Sequence, residues 1–229
     1  ISAEVNRIGK QWPKKGFVAF LTINDEPRTL KDAQESEDWP KWKQAMDEEL
    51  DALRKNNTWE LVDKPANAKP VKSKWVFKVK LNPQGEIDRY KARLVAKGYS
   101  QIPNIDYKET FAPVASMTSV RILFAIANQQ RMEILQFDIK TAFLYGDLDE
   151  TIYMNYPDGY PNPSNKVCKL IKSLYGLKQA PRQWNKKFDE FLTRYKLSQS
   201  QIDRCFYYNN DRSLLLVIYV DDGLVASRD

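Results

Sequence analysis

The chain has 229 residues, with 36 Lys and Arg against 30 Asp and Glu for a net charge of +6, and 42% hydrophobic and 29% charged residues. These are globular proportions, enough for one large domain or two intimate subdomains, and they exclude disordered and collagen-like classes. With no histidine and only two cysteines, histidine triads, histidine zinc sites and a disulfide framework are excluded, so chemistry must rest on carboxylates, Lys, Tyr or a metal. No apolar run approaches the ~18 residues of a membrane span, and the first residues carry no cleavable signal pattern, so a soluble, unsecreted chain with no membrane partner is expected.

Residues 1–35 show no sustained period and read as a linker or N-terminal arm. From Ser36 the pattern is helical, with Trp39, Trp42, Met46, Leu50 and Leu53 at three- and four-residue steps, Pro40 in the first turn and Arg54 and Lys55 in the last. The tryptophans are expected in the core. A short strand comes next, over 59–62. Trp75, Phe77, Val79 and Leu81 then alternate with Lys74, Val76, Lys78 and Lys80 before Asn82-Pro83-Gln84-Gly85, and alternation resumes at Arg89, which predicts a hairpin over about 72–98. Between Lys72 and Lys97 eight cations oppose two acids, so this segment alone carries +6 and the remainder of the chain sums to zero. If Asn82 pairs with Gly85, Lys78 faces Arg89 and Lys74 faces Arg93, a cationic ladder on one face. Like charges directly across strands destabilise a sheet. A polyanion on that face explains the ladder, and an edge hairpin protected by lysines explains it equally well.

Further helices are predicted over about 118–130 and from Pro181 through Tyr195, and strands at 132–139, 151–156, 167–174, 205–208 and 213–226. Hairpins and helices mix without regular alternation, so the fold class is α+β. The strand ending Gln136-Phe137-Asp138-Ile139 points Asp138 away from Phe137 and Ile139, and Asp221-Asp222-Gly223 interrupts two apolar runs as a turn. Three converging carboxylates would repel and demand cations; a pair of hard divalent ions ~4 Å apart answers that need and suits phosphoryl chemistry.

Tyr219-Val220-Asp221-Asp222 resembles the YxDD signature of reverse transcriptases. Gln136 through Gly146 (QFDIKTAFLYG), Leu174 through Trp184 (LYGLKQAPRQW) and Tyr90 through Gly98 (YKARLVAKG) are similar to ordered blocks of the Ty1/copia class of retrotransposon Pol polyproteins, and with Asn57 through Val62 the similarity extends over about residues 30–229. The resemblance implies a right-hand polymerase over residues 36–229, with fingers that include the basic hairpin, an antiparallel palm sheet with packed helices, and a sequence that stops before the thumb. It implies RNA-directed DNA polymerase activity, with Asp138, Asp221 and Asp222 as catalytic and metal-binding residues for two magnesium ions, or manganese in their place. It assigns Phe143 as the steric gate against a 2′-hydroxyl, Tyr175, Gly176 and Lys178 to the loop under the nascent base pair, and Lys78, Lys80, Lys91 and Arg93 as candidates for gripping triphosphate, Arg93 foremost because a guanidinium binds phosphate bidentately. Implied partners are a primed RNA or DNA template, deoxynucleoside triphosphates, and the integrase, protease and RNase H regions of a parent polyprotein, in a cytoplasmic virus-like particle or the nucleus. The alternative is a truncated or domesticated fragment that binds nucleic acid without catalysis.

Overall fold

The computed structural model describes residues 26–162 and 166–228. Of the expected N-terminal arm, residues 1–25 lie outside the described residues. Its last residues are folded: helix α1 (Leu30–Glu35) starts with a capping box in which Thr29 Oγ1 accepts the Asp32 N–H at 3.1 Å and Asp32 accepts the Thr29 N–H at 2.9 Å. Helix α2 (Trp39–Lys55) buries the expected seam of Trp42, Met46, Leu50 and Leu53, with Trp39 only half-buried. Trp42 meets Phe77 and Tyr90 edge-on, with ring centroids 5.3 and 4.6 Å apart. Burial of Met46, Leu50 and Leu53 contributes roughly 1.5–3 kcal/mol each, and it seats α2 on the apolar face of the hairpin.

That hairpin pairs β2 (Ser73–Leu81) with β3 (Ile87–Ala96). Its faces are those the alternation predicts, but its register is shifted by two residues: Lys78 lies opposite Lys91, Lys80 opposite Arg89 and Val76 opposite Arg93. The reason lies in Asn82, whose side-chain oxygen accepts the N–H groups of Gln84 and Glu86 at 3.0 and 2.9 Å, while its own N–H donates to the Glu86 carbonyl. The expected turn bond also forms, Gly85 N–H to the Asn82 carbonyl at 2.9 Å, but Gly85 has φ +84° and the strand pairing of Asn82 falls on Glu86, and an irregularity after Lys80 adds the second residue of the shift. A two-residue shift preserves side-chain parity, so the cationic ladder survives with different partners.

A three-stranded antiparallel sheet holds β1 (Trp59–Val62), β6 (Val167–Lys172) and β5 (Asp147–Asn155) in the order β1-β6-β5. The larger antiparallel sheet runs β4-β10-β9-β8-β7, from β4 (Glu133–Asp138), β7 (Ser198–Gln199), β8 (Phe206–Tyr208), β9 (Leu214–Tyr219) and β10 (Asp222–Ser227). Helix α3 (Met117–Gln130) covers one face, packing Leu123 and Ala127 on Leu215, Val217 and Ala226. Helix α4 (Ala180–Arg194) covers the other, packing Trp184, Phe188 and Leu192 on Tyr207, Leu216 and Ile218. The two covers account for the continuous apolar run of β9, because alternate residues enter two different cores.

The hairpin is tied to the loop before α4 at one close seam. Ala96 N–H donates to the Tyr175 carbonyl at 2.7 Å. A Cβ on Gly98 would stand 2.0 Å from the Gly176 carbonyl oxygen, and one on Gly176 would stand 2.2 Å from that of Ala96. Gly176 also has φ +89°. Gln101 and Gln179, both buried, complete the seam: Gln101 donates to the Gln179 side chain at 3.0 Å and accepts from the Lys178 N–H at 2.8 Å. Gly98→Ala, whose backbone φ is not positive, should therefore lower stability by about 2–3 kcal/mol through overlap alone. Gly85→Ala, at φ +84° with nothing within 4 Å, should lose only about 1 kcal/mol from its left-handed backbone. Urea midpoints of the two variants measure the difference; equal losses would show that the seam can open without cost.

Candidate active site

The seam sets the basic hairpin against the end of the larger sheet, and a cleft of about 430 Å³ lies between them. Asp138 and Asp221 line it on the sheet side; Arg89, Lys91 and Arg93 line it on the hairpin side, with Glu49, Thr141 and Tyr175 also in its walls. The volume is that of a small-molecule site. Asp138 ends β4 with its side chain exposed, while Phe137 and Ile139 pack into the α4 core as their parity predicts. Asp221 lies in the β9–β10 turn, and its carbonyl accepts the Ile139 N–H at 2.9 Å, which locks the two acid-bearing segments side by side. No side-chain hydrogen bond or ion pair engages Asp138, Asp221 or Asp222 among the described residues.

The turn is not centred where the sequence suggests. Tyr219 pairs with Asp222, so Val220 and Asp221 form the tip, and Asp222 and Gly223 already belong to β10. Val220 has φ +59°, a conformation that normally selects Gly at the first central position. Among the described residues seven non-glycines have positive φ, and the only β-branched ones are Thr141 and Val220, each within three residues of Asp138 or Asp221. Strain of this kind costs about 1–3 kcal/mol per residue and collects at functional sites. The Trp184 indole N–H donates to the Val220 carbonyl at 2.6 Å. Gly223 is required by packing and not by the turn: a Cβ there would lie 2.1 Å from the ring of its cross-strand partner Phe137.

The expected triphosphate-gripping residues divide into two pairs. Lys91 and Arg93 reach the cleft, whereas Lys78 and Lys80 do not line it. Lys78 is paired with Glu26, whose other oxygen accepts the Val79 N–H at 3.0 Å. This relieves the Lys78–Lys91 repulsion across the ladder. Burial, together with Arg93 and Arg89, holds the Lys91 pKa below the usual lysine value. The Arg93 guanidinium lies over the Tyr175 ring at 5.0 Å, and Tyr175 stands edge-on to Phe143 at 5.2 Å. Phe143 itself does not line the cleft; it is half-buried one ring behind Tyr175, packed between two cores. Gly176 and Lys178 are exposed on the loop, Gly176 fixed by the close seam. Asp222 lies opposite Asp138 in the β4–β10 register but is not in the cleft wall, and among the described residues no three carboxylates, Cys or His group closely enough to hold one ion.

An antiparallel sheet flanked by two helices thus carries two unpaired carboxylates at its end, facing a basic hairpin across the cleft. Residues 56–229 match the family model described as reverse transcriptase (RNA-dependent DNA polymerase), and the chain belongs to that family. It is 42% identical over 225 residues to a retrovirus-related Pol polyprotein from transposon TNT 1-94 of Nicotiana tabacum, covering 96% of this chain and 17% of that protein. Over 222 residues it is 40% identical to the Pol polyprotein from transposon RE1 of Arabidopsis thaliana, covering 95% of this chain and 15% of the other. A truncated transposon Ty1-A Gag-Pol polyprotein of Saccharomyces cerevisiae is 31% identical over 205 residues, covering 87% and 16%. The chain thus spans less than a fifth of the length of these copia-type relatives.

Two contributors to the site were not anticipated, Trp184 and Glu49. Glu49 falls on the buried seam of α2, only 9% exposed, where an acid in an apolar period was the available signal. Its Oε1 accepts the Leu94 N–H at 3.1 Å. Burial raises its pKa, against the opposing pull of the Leu94 N–H and the charges of Arg93 and Lys91. A carboxyl whose folded pKa lies above its unfolded value of 4.5 folds without penalty below that value and loses stability as pH rises from it through the folded pKa. Glu49→Gln keeps the acceptor and removes the charge. Its stability advantage over the native chain should be absent near pH ~4 and open above the unfolded pKa, as read from urea midpoints at the two ends of that window.

Proposed function

We propose that this chain carries the nucleotidyl-transfer site of an RNA-directed DNA polymerase. The observation that supports this best is the shared cleft, with Asp138 and Asp221 on one wall and Lys91 and Arg93 on the other. Carboxylates that face cations without pairing with them suit a substrate that brings both phosphates and divalent metal. In this reading the hairpin and α2 are the fingers, and the larger sheet with α3 and α4 is the palm.

The unpaired oxygens of Asp138 and Asp221 fit hard divalent cations, which take oxygen ligands, and Asp222 would join them only after a shift of its side chain toward the cleft. When bound, two magnesium ions, or manganese, would acidify the primer 3′-hydroxyl and neutralise charge at the α-phosphate. Arg93 and Lys91 bind the β- and γ-phosphates from the opposite wall, the guanidinium placed over the Tyr175 ring. The primer 3′ oxygen attacks the α-phosphorus, the α–β phosphoanhydride bond breaks, pyrophosphate leaves, and the hydroxyl proton passes to solvent. Tyr175 supports the sugar, and Phe143 limits how far the Tyr175 ring can retreat, which gives Phe143 its role as gate against a 2′-hydroxyl. Gly176 and Lys178 lie beside the template base. Lys78 and Lys80, outside the cleft, extend the positive field toward the phosphates of the primed template. The other partners in this reading are the integrase, protease and RNase H regions of the polyprotein, in a virus-like particle or the nucleus.

Binding of nucleic acid without catalysis is the second reading, to which the cationic ladder of the hairpin is equally suited. Primer extension with magnesium separates the two. Asp221→Asn should abolish extension, by at least about 100-fold, and leave affinity for primed template within about threefold, because that affinity comes from cationic contacts with phosphate. Extension that persists in Asp221→Asn would sink the catalytic assignment.

Phe143→Ala should admit ribonucleotides by freeing Tyr175 to move. The ratio of kcat/KM for a deoxynucleotide to that for its ribonucleotide is the measurement, and an unchanged ratio would show that Phe143 is core only.

A further inference from the structure

We propose that Trp184 is a positioning residue for the acid-bearing turn: its indole N–H, donated to the Val220 carbonyl, holds Val220 in the left-handed conformation that presents Asp221 beside Asp138. The proposal rests on the nucleotidyl-transfer reading of the same site and adds a residue to it.

A β-branched residue with positive φ, such as Val220 at the tip of the turn, relaxes unless its surroundings fix it. The orientation of the Val220 carbonyl sets the plane of the peptide that leads into Asp221, and that carbonyl is held by Trp184 at 2.6 Å. The next carbonyl, of Asp221, is held by the Ile139 N–H at 2.9 Å. The two bonds clamp successive peptides of the tip, one from the helix beneath and one from the neighbouring strand that carries Asp138. Trp184 can serve as an anchor because it is itself fixed. It is 6% exposed, lies in the second turn of α4, and packs against Phe188 and Tyr145 at 5.3 and 6.1 Å between centroids. The start of α4 is fixed in turn by Gln179, whose amide donates to the Asp106 carbonyl at 2.8 Å and to Glu150 at 3.1 Å. A buried indole N–H needs some acceptor, so a purely structural role for the bond is the competing explanation, and the experiment must separate the two.

Trp184→Phe removes the donor and keeps a ring in the core. Replacing the indole by benzothiophene, which keeps the bicyclic shape and drops only the N–H, covers the case in which W184F does not fold. Val220→Gly removes the need for a clamp, since Gly adopts positive φ without strain. Three quantities are measured on the full chain: Mn²⁺ affinity by paramagnetic resonance, thermal midpoint, and kcat and KM for primer extension. Loss of the N–H should weaken Mn²⁺ binding about 10-fold and lower kcat by about 10- to 100-fold, with KM for deoxynucleotide within about threefold, as displacement of one reacting group would. Val220→Gly placed on top of either Trp184 substitution should restore Mn²⁺ affinity and kcat to within about threefold of the Val220→Gly single variant, with no matching recovery of the thermal midpoint. Unchanged Mn²⁺ affinity and kcat without the donor would overturn the proposal while leaving the polymerase reading intact. So would losses that Val220→Gly fails to rescue, which would make Trp184 a core residue only. A native chain that neither binds Mn²⁺ nor extends a primer would remove the reading on which the proposal stands, and the proposal with it.

Discussion

The close approach of two backbone segments, Ala96 through Gly98 and Tyr175 through Gly176, is the constraint on which the site depends. One hydrogen bond of 2.7 Å and two positions where no Cβ fits bring the end of β3 against the loop that precedes α4. The hairpin carries the cations, the loop carries Tyr175 into the cleft, and the loop leads directly into the helix that bears Trp184. Without the seam the cations of Lys91 and Arg93 would belong to a solvated β-ribbon. With it they face Asp138 and Asp221, and Arg93 has the Tyr175 ring to lie on.

The same seam explains two of the buried polar side chains. Gln101 and Gln179 are buried, yet their side-chain hydrogen bonds all go to this region: to each other, to the Lys178 N–H, to the Asp106 carbonyl and to Glu150. An apolar pair there could pack as densely, but it would leave the backbone of the loop without partners. Glu49 does the equivalent on the other side of the hairpin, accepting the Leu94 N–H at the outer edge of β3. The hairpin strand β3 is therefore fixed along both long edges, by β2 and by a side chain from α2, before any ligand arrives.

How much of this was legible in the sequence depends on whether the determinant was local. The three longer helices and strand β9 were, because period and apolar run length report burial directly. Asp138 was legible too, since alternation alone separates it from Phe137 and Ile139. The hairpin register was not, because the four-residue turn forms but Asn82 then pairs with Glu86, helped by its own side chain, and an irregularity after Lys80 shifts the strands once more. The position of the acid-bearing turn was missed for a related reason. Local preference favours Asp-Asp-Gly at a tip and opposes Val with positive φ, and tertiary contacts overrule it: Phe137 claims the space above Gly223, and Trp184 and Ile139 hold the carbonyls of Val220 and Asp221. The gate role of Phe143 was not legible in the sequence pattern at all and comes from the resemblance; the ring that lines the cleft is Tyr175, and Phe143 stands edge-on behind it at 5.2 Å.

The walls of the cleft carry opposite charge, and no ion pair within 4.0 Å joins them among the described residues. A protein optimised for stability alone would let Arg93 or Lys91 close on Asp138 or Asp221. Three features oppose that collapse. The Arg93 guanidinium lies over the Tyr175 ring, the clamped turn fixes the approach of Asp221, and the Glu49 carboxyl attracts Arg93 and Lys91 from their own side. Each wall is thus left with like charges, Lys91 with Arg89 and Arg93 on one side and Asp138 and Asp221 on the other. In the proposed reading, anionic phosphate against the first wall would make the field at the second more favourable to a divalent metal, and metal against the second would do the same for phosphate at the first. The two components would then bind with positive coupling. Such coupling would favour a metal–triphosphate complex over either part, and its origin would be the separation of charge that the seam imposes.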